Sequence, residues 1–116
     1  MTTYAGGCHC GKVRYEVNME LESVISCNCS HCNMKGLLLS FVPVEQFRLL
    51  SGEDALTEYR FNKKQIEHLF CNTCGVQSFA YGVDKEGARM AAINARCLDN
   101  VELTDLTLMP FDGRSY

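Results

Sequence analysis

Thiol chemistry is the first possibility that this sequence raises, because 116 residues contain eight cysteines. Seven of them fall into three short groups, which are Cys8-x-Cys10, Cys27-x-Cys29-x-x-Cys32 and Cys71-x-x-Cys74. Disulfide frameworks spread cysteines so that each bridge closes a long loop, whereas a metal site needs sulfurs that reach one ion about 2.3 Å away. The grouping therefore predicts metal binding, with a redox dithiol or a disulfide-bridged fold as the alternatives.

The first and last groups have the form of two halves of one closed site. Gly11 and Gly75 follow them directly, and a turn around a metal often needs φ > 0 at that position, which glycine adopts without strain. Zinc held by four thiolates contributes on the order of 10 kcal/mol to folding, comparable with the whole stability of a small domain. We therefore expect a structural zinc here. Its predicted ligands are Cys8, Cys10, Cys71 and Cys74.

The middle group supplies only three thiolates, from Cys27, Cys29 and Cys32. Three protein ligands leave one coordination position for water or substrate, so this group is the predicted catalytic zinc site. In the alternative, Cys97 is a fourth ligand and both sites are closed and structural. The sequence context of Cys97, between Arg96 and Leu98, is more typical of a small buried hydrophobic residue, so we predict that it is not a ligand.

Other ionisable residues near the cysteines give weaker signals. His31 and Glu67 are the candidates for a general base, although a histidine beside a ligand cysteine, such as His31 or His9, more often supports the site than binds the metal. His68 lies in a predicted strand and is expected to pack against its neighbours. Four thiolates also accept iron, as in a rubredoxin-like electron carrier, and a colourless zinc protein would exclude that alternative.

Strands dominate the predicted scaffold. Apolar and polar residues alternate from 12 to 19, which is the signature of a half-buried strand. Residues 36–42 form an apolar run that ends at Pro43 and predict a buried strand. Residues 76–81 and 89–94 predict two more strands, which form a hairpin around a turn at 82–87. Residues 53–70 fit two strands with a turn at 62–64 better than they fit a helix. Residues 98–103 predict one short helical turn.

Length and charge limit the function classes. The chain is 47% hydrophobic and long enough for one small domain, spanning residues 1–116, and it has no internal linker. A formal charge of -3 argues against broad contact with nucleic acid or anionic lipid. The apolar run at 36–42 is far shorter than the roughly 20 residues that cross a bilayer. The N-terminus has no apolar signal segment, so we expect a cytoplasmic protein that does not bind membranes.

Four segments together resemble the glutathione-dependent formaldehyde-activating enzyme family, also called the CENP-V/GFA domain. They are residues 6–16, 27–32, 68–75 and 94–99. The resemblance implies a mainly β, small irregular β-tent fold held together by zinc. It also implies a structural zinc on the residues matching Cys8, Cys10, Cys71 and Cys74, and a second zinc on those matching Cys27, Cys29 and Cys32.

The ligand set of the second site limits its chemistry. Three thiolates on Zn²⁺ leave a net charge of roughly -1, so the metal is a weak Lewis acid for hydrolysis and better suited to accept a substrate thiol. Addition of formaldehyde to glutathione, which gives S-hydroxymethylglutathione, is such a reaction, and its reverse cleaves a carbon-sulfur bond. We therefore predict a carbon-sulfur lyase-like enzyme acting on a small thiol such as glutathione and an aldehyde. The alternative is a non-catalytic interaction module with two closed four-cysteine zinc sites.

Overall fold

The computed structural model describes residues 2–60 and 66–112. Strands account for about half of this part of the chain, and a single α-helix, α1 (Ser30–Lys35), lies between β3 and β4. The mainly β fold class is therefore confirmed. The strands are β1 (Thr2–Gly7), β2 (Arg14–Met19), β3 (Ser23–Cys27), β4 (Leu38–Pro43), β5 (Phe47–Ser51), β6 (Leu56–Tyr59), β7 (Glu67–Cys71), β8 (Phe79–Val83), β9 (Arg89–Asn94) and β10 (Thr107–Phe111).

Within the described residues the strands form two sheets. The smaller sheet has the order β1-β2-β5, and the larger one has the order β10-β3-β4-β9-β8-β7-β6. Neighbouring strands are antiparallel, except that β10 runs parallel to β3 at one edge of the larger sheet. No helix in the described ranges is both long and apolar enough to cross a membrane.

Aromatic side chains join the two sheets. Tyr15 of β2 and Phe79 of β8 are almost completely buried, and Phe47 of β5 lies between them with ring centroids 5.2 Å from Tyr15 and 4.7 Å from Phe79. Tyr81 adds an edge contact to Phe79 at 5.3 Å. Tilted and edge-on ring pairs at these separations stabilise a core beyond the burial of their apolar area. The alternating pattern of β2 places Tyr15 and Val17 in this core.

Several of the predicted elements are confirmed. Strand β2 and the β8–β9 hairpin occur where the sequence predicts them, and β9 has the predicted bounds. Residues 53–70 contain two antiparallel strands, β6 and β7, rather than a long helix. The turn predicted at 62–64 lies outside the described residues.

Three predicted boundaries are wrong. Gly36 does not begin a strand; it ends α1 with a φ of 67°, and β4 begins only at Leu38. Strand β8 begins at Phe79 rather than 76, because the Val76 carbonyl accepts a hydrogen bond from the Cys71 N–H at 3.0 Å and keeps this segment in the cysteine turn. The helical turn predicted at 98–103 is replaced by 3₁₀ turns at Ala95–Cys97 and Leu103–Asp105.

Candidate metal centres

Four cysteine sulfurs meet where the turn after β1 of the smaller sheet lies against the turn at the end of β7 of the larger sheet. All four Sγ atoms lie within 4.8 Å of one another, including Cys8 and Cys10 at 3.5 Å and Cys10 and Cys71 at 3.6 Å. Tetrahedral zinc with bonds of about 2.3 Å places its sulfur ligands about 3.8 Å apart. The donor set therefore fits a four-coordinate metal ion. Its members are the four predicted residues, Cys8, Cys10, Cys71 and Cys74.

Backbone amides in both turns point at these sulfurs. The Val13 N–H donates to Cys8 Sγ at 3.3 Å, and the Thr73 N–H donates to Cys71 Sγ at 3.4 Å. The backbone N–H of Val76 lowers the pKa of Cys74 to about 6, which favours the thiolate that a metal needs. Gly11 and Gly75 adopt φ values of 84° and 81°, so the positive φ predicted after each cysteine pair is confirmed.

Gly7 allows the turn that carries Cys8 and Cys10 to close. A Cβ atom at Gly7 would lie 2.1 Å from the Val13 carbonyl oxygen, the same oxygen that accepts the Cys8 N–H at 3.1 Å. Gly7→Ala is therefore expected to destabilise the protein by about 1–3 kcal/mol, because backbone must move to make room. The measurement is the urea midpoint of unfolding. Gly82→Ala is the control, since a Cβ there would meet only Ile66 at 3.7 Å among the described residues, and an equal shift in both variants would contradict the argument.

Three further sulfurs meet at α1. Cys27 ends β3, Cys29 is the N-cap of α1, and Cys32 lies in its first turn, with all three Sγ atoms within 4.8 Å of one another. The Cys32 N–H donates to Cys29 Sγ at 3.4 Å, and the Cys29 N–H donates to Cys27 Sγ at 3.5 Å. This helix was not predicted from the sequence. Lys35 followed by Gly36 is the C-terminal signal that could have revealed it.

The three-thiolate cluster lies on the larger sheet. Cys32 is buried against Ala80 and Ala92, and Cys27 and Cys29 pack at the edge of the same apolar cluster, which also contains Leu39. Cys32 is buried and Cys27 and Cys29 are partly exposed, so this packing keeps water from one side of the cluster.

Two histidines lie beside this cluster. The ring of His31, on α1, stacks on His68 of β7 with centroids 4.1 Å apart and on Tyr59 of β6 at 5.6 Å. Gln77 Nε2 lies 3.4 Å from His68 Nδ1, and burial lowers the pKa of His68 to about 4, so its ring is neutral at physiological pH. The expected packing role of His68 is confirmed, but the stack itself was not predicted.

The remaining residues that the sequence raised as candidate site residues lie away from the three-thiolate cluster. Glu67 precedes His68 on β7 and pairs with Arg60 at 3.3 Å and Arg89 at 3.6 Å, on the side of the sheet that faces away from α1. This position does not support Glu67 as a general base. Cys97 lies outside both sulfur clusters, with its Sγ 3.6 Å from Asn94 Nδ2 and 3.8 Å from the Gln77 carbonyl oxygen. His9 is exposed.

The C-terminal strand supports the loop of the three-thiolate cluster. Phe111 of β10 is the register partner of Cys27, and its carbonyl accepts the Asn28 N–H at 3.1 Å. The Asn28 side chain donates to Asp112 Oδ1 at 3.0 Å. Neither β10 nor these contacts could be predicted from the sequence, because an exposed strand has no alternation of buried and exposed residues to reveal it.

The two clusters differ in what they can do chemically. Among the described residues, one group offers four metal-binding atoms and the other offers three. A four-coordinate ion is saturated by the first group, whereas the second leaves a coordination position for an exogenous ligand. Soft thiolate ligands favour zinc, copper(I) or iron-sulfur chemistry over magnesium or calcium.

Comparisons with known proteins identify the family of this chain. The family model described as glutathione-dependent formaldehyde-activating enzyme matches residues 3–110. A crystal structure of a Rhodobacter sphaeroides protein, solved as a Northeast Structural Genomics target, is similar with a TM-score of 0.78 and 26% sequence identity. That match covers 90% of this chain and 99% of the other. The chain therefore belongs to the glutathione-dependent formaldehyde-activating enzyme family.

Proposed function

We propose that this protein is a zinc-dependent carbon-sulfur lyase-like enzyme that forms or cleaves the adduct of a small thiol, such as glutathione, and an aldehyde. The observation that carries the proposal is the unequal pair of clusters, one with four sulfurs and one with three. In this assignment Cys8, Cys10, Cys71 and Cys74 hold a structural zinc. Cys27, Cys29 and Cys32 hold the catalytic one.

The reaction needs a thiolate beside an electrophilic carbon. Zinc at the three-thiolate cluster would supply an electron-rich Lewis acid that takes the substrate thiol as a thiolate ligand. In the forward direction the substrate sulfur attacks the aldehyde carbon, a C–S bond forms, and the carbonyl electron pair moves to oxygen. The proton lost by the thiol ends on that oxygen as a hydroxyl group. Cleavage reverses each of these changes.

The residues around the cluster act by orientation and by exclusion of water. The backbone N–H groups of Cys29 and Cys32 hold the ligand sulfurs in place. The apolar cluster with Leu39, Ala80 and Ala92 excludes water from one side of the site. Proximity of a held thiolate and an aldehyde lowers the entropic part of the barrier. We also propose that residues 1–116 act as one cytoplasmic domain without a nucleic-acid partner.

Cobalt substitution tests whether the second site accepts a thiol. We expect two metal ions per chain, and we expect glutathione to change the thiolate-to-cobalt absorption as it enters the coordination sphere. Cys97→Ala is the discriminating variant, because Cys97 lies apart from the three sulfurs. It should retain both metals and the spectral response. If the wild type does not respond and Cys97→Ala loses one metal, Cys97 closes the site and the protein is a non-catalytic interaction module.

A further inference from the structure

Strand β3, which ends at Cys27, has unequal partners on its two sides. Toward β4, the register pairs of β3 involve only Ile25 and Ser26 among the described residues. Toward β10, all five residues of β3 are paired, and Phe111 is the partner of Cys27. The end of β3 that carries the ligand cysteine is therefore held in the sheet by pairing with the C-terminal strand.

Two backbone hydrogen bonds fix the ends of this pairing. The Thr107 N–H donates to the Glu22 carbonyl at 3.1 Å, just before β3 begins, and the Asn28 N–H donates to the Phe111 carbonyl at 3.1 Å, just after β3 ends. All five residues of β10 are exposed, so burial of apolar area contributes little to the attachment of this strand. The position of β10 therefore depends on its polar contacts with β3 and with the residues that flank β3.

Asn28 makes a second contact with the same end of the C-terminal strand. Its Nδ2 donates to Asp112 Oδ1 at 3.0 Å, so Asn28 is bonded to this end through both its backbone and its side chain. A hydrogen bond with one ionised partner is about twice as strong as a bond between two neutral groups. The Asn28–Asp112 pair is thus the strongest kind of polar contact available at this position.

This pair acts at the centre of the loop that carries two metal ligands. Asn28 lies between Cys27 and Cys29, whose Sγ atoms both belong to the three-thiolate cluster. The Cys29 N–H donates to Cys27 Sγ at 3.5 Å, so a movement of residue 28 changes a hydrogen bond to a ligand sulfur. Cys32 is placed differently, because it belongs to α1 and is buried. The Asn28–Asp112 pair therefore bears on two of the three sulfurs.

We infer that Asn28 and Asp112 are positioning residues of the three-thiolate site, which hold the sulfurs of Cys27 and Cys29 at the spacing that a metal ion needs. The inference rests on the proposed function and deepens it, because it makes the C-terminal strand part of the site assigned to the catalytic zinc. The Asp112 carboxylate does not lie within the sulfur cluster, so it acts through Asn28 and not as a ligand. Removal of a partner that orients a metal ligand typically lowers metal affinity or activity by about 10-fold to 100-fold.

Competition with a chromophoric chelator tests this inference by measuring the affinity of each cluster for Zn²⁺. We expect Asn28→Ala and Asp112→Ala each to lower the zinc affinity of the three-thiolate cluster by about 10-fold, the lower end of that range, because the contact is exposed. The four-sulfur cluster should keep its affinity. Alanine fits the backbone at position 28, since Asn100 is the only described non-glycine residue with a positive φ.

Further variants separate the hydrogen bond from the charge of Asp112. Asp112→Asn retains an acceptor oxygen for the Asn28 amide and should stay within about 3-fold of the wild-type affinity. The double variant Asn28→Ala/Asp112→Ala should lose no more than either single variant, because both changes remove the same contact. Gln46→Ala is the matched control and should change neither affinity. Gln46 also donates from an exposed amide, at 2.7 Å, but to the Asn18 carbonyl of the smaller sheet.

Hydrogen exchange in β10 measures the same coupling from the other side. If the Asn28–Asp112 pair links the metal site to β10, zinc binding at the three-thiolate cluster must stabilise β10 by thermodynamic reciprocity. We expect amide exchange in β10 to slow by about 10-fold when the wild type goes from one zinc ion to two. In Asn28→Ala the same step should slow exchange by less than about 3-fold.

The outcomes separate this inference from the proposed function. Unchanged zinc affinity in both alanine variants, an equal loss in Asp112→Asn and Asp112→Ala, or additive losses in the double variant would each overturn the positioning role. A parallel loss at both clusters would also overturn it, because it would show general destabilisation of the fold. If the zinc affinities change as expected but glutathione does not alter the cobalt spectrum of the wild type, the proposed function fails and the positioning role stands.

Discussion

Cys71→Ser is expected to lose one zinc ion per chain and to leave the protein unfolded or aggregated. Cys71 is completely buried, and the adjacent Asn72 N–H donates to the Ala55 carbonyl at 2.7 Å, so its turn is part of the folded core. A zinc ion held by four thiolates contributes on the order of 10 kcal/mol of folding free energy, and the total free energy of unfolding of a small domain is only about 5–15 kcal/mol. Loss of one ligand therefore removes most of the stability.

Metal analysis and circular dichroism during heating measure this effect. Cys97→Ser is the control, because it changes a cysteine outside both sulfur clusters and should retain two zinc ions. A Cys71→Ser protein with full metal content and an unchanged Tm would show that the four-sulfur cluster does not hold a structural ion.

Cys29→Ser is expected to lose a zinc ion and activity while the protein stays folded, unlike Cys71→Ser, which should unfold. Serine is a good N-cap residue, so α1 keeps a side-chain acceptor for the Cys32 N–H, while the three-thiolate cluster loses a ligand. The variant should contain one zinc instead of two and should stay folded. Its catalysis of adduct formation between a thiol and an aldehyde should fall to the uncatalysed rate, because no site remains to hold the thiolate.

Zinc stoichiometry, far-UV circular dichroism and an adduct-cleavage assay together check this result. Cys29→Ala separates capping from metal binding, since it should lose the same zinc and about 1 kcal/mol more stability than Cys29→Ser. Complete unfolding of Cys29→Ser would instead indicate that both metal sites are structural.

Local spacing determined much of the site and part of the fold. Cysteines two or three residues apart can reach one ion whatever the surrounding structure, so the grouping of Cys71 with Cys74, or of Cys29 with Cys32, was predictable. The positive φ of Gly11 and Gly75 follows from the same tight turns. The alternation along β2 and the turn residues between β8 and β9 likewise carry their information within a few positions.

Only the tertiary structure decided the surroundings of the three-thiolate cluster. Helix α1 is six residues long, too short to be stable by propensity, and it forms because Cys29 caps it and Cys32 packs on Ala80 and Ala92. Strand β10 is exposed throughout and is defined by its pairing with β3, more than 80 residues earlier.

The positions of single side chains around the cluster depend on strand register. Strand pairing places Phe41 beside Ala92 and His68 beside Ala80, although the two residues of each pair are far apart in sequence. A shift of one residue would move every one of these side chains to the other face. The sequence by itself therefore determined which cysteines could share a metal ion, whereas the row of side chains from Phe41 to Tyr59 and the His31–His68 stack arise from long-range pairing that no local pattern encodes.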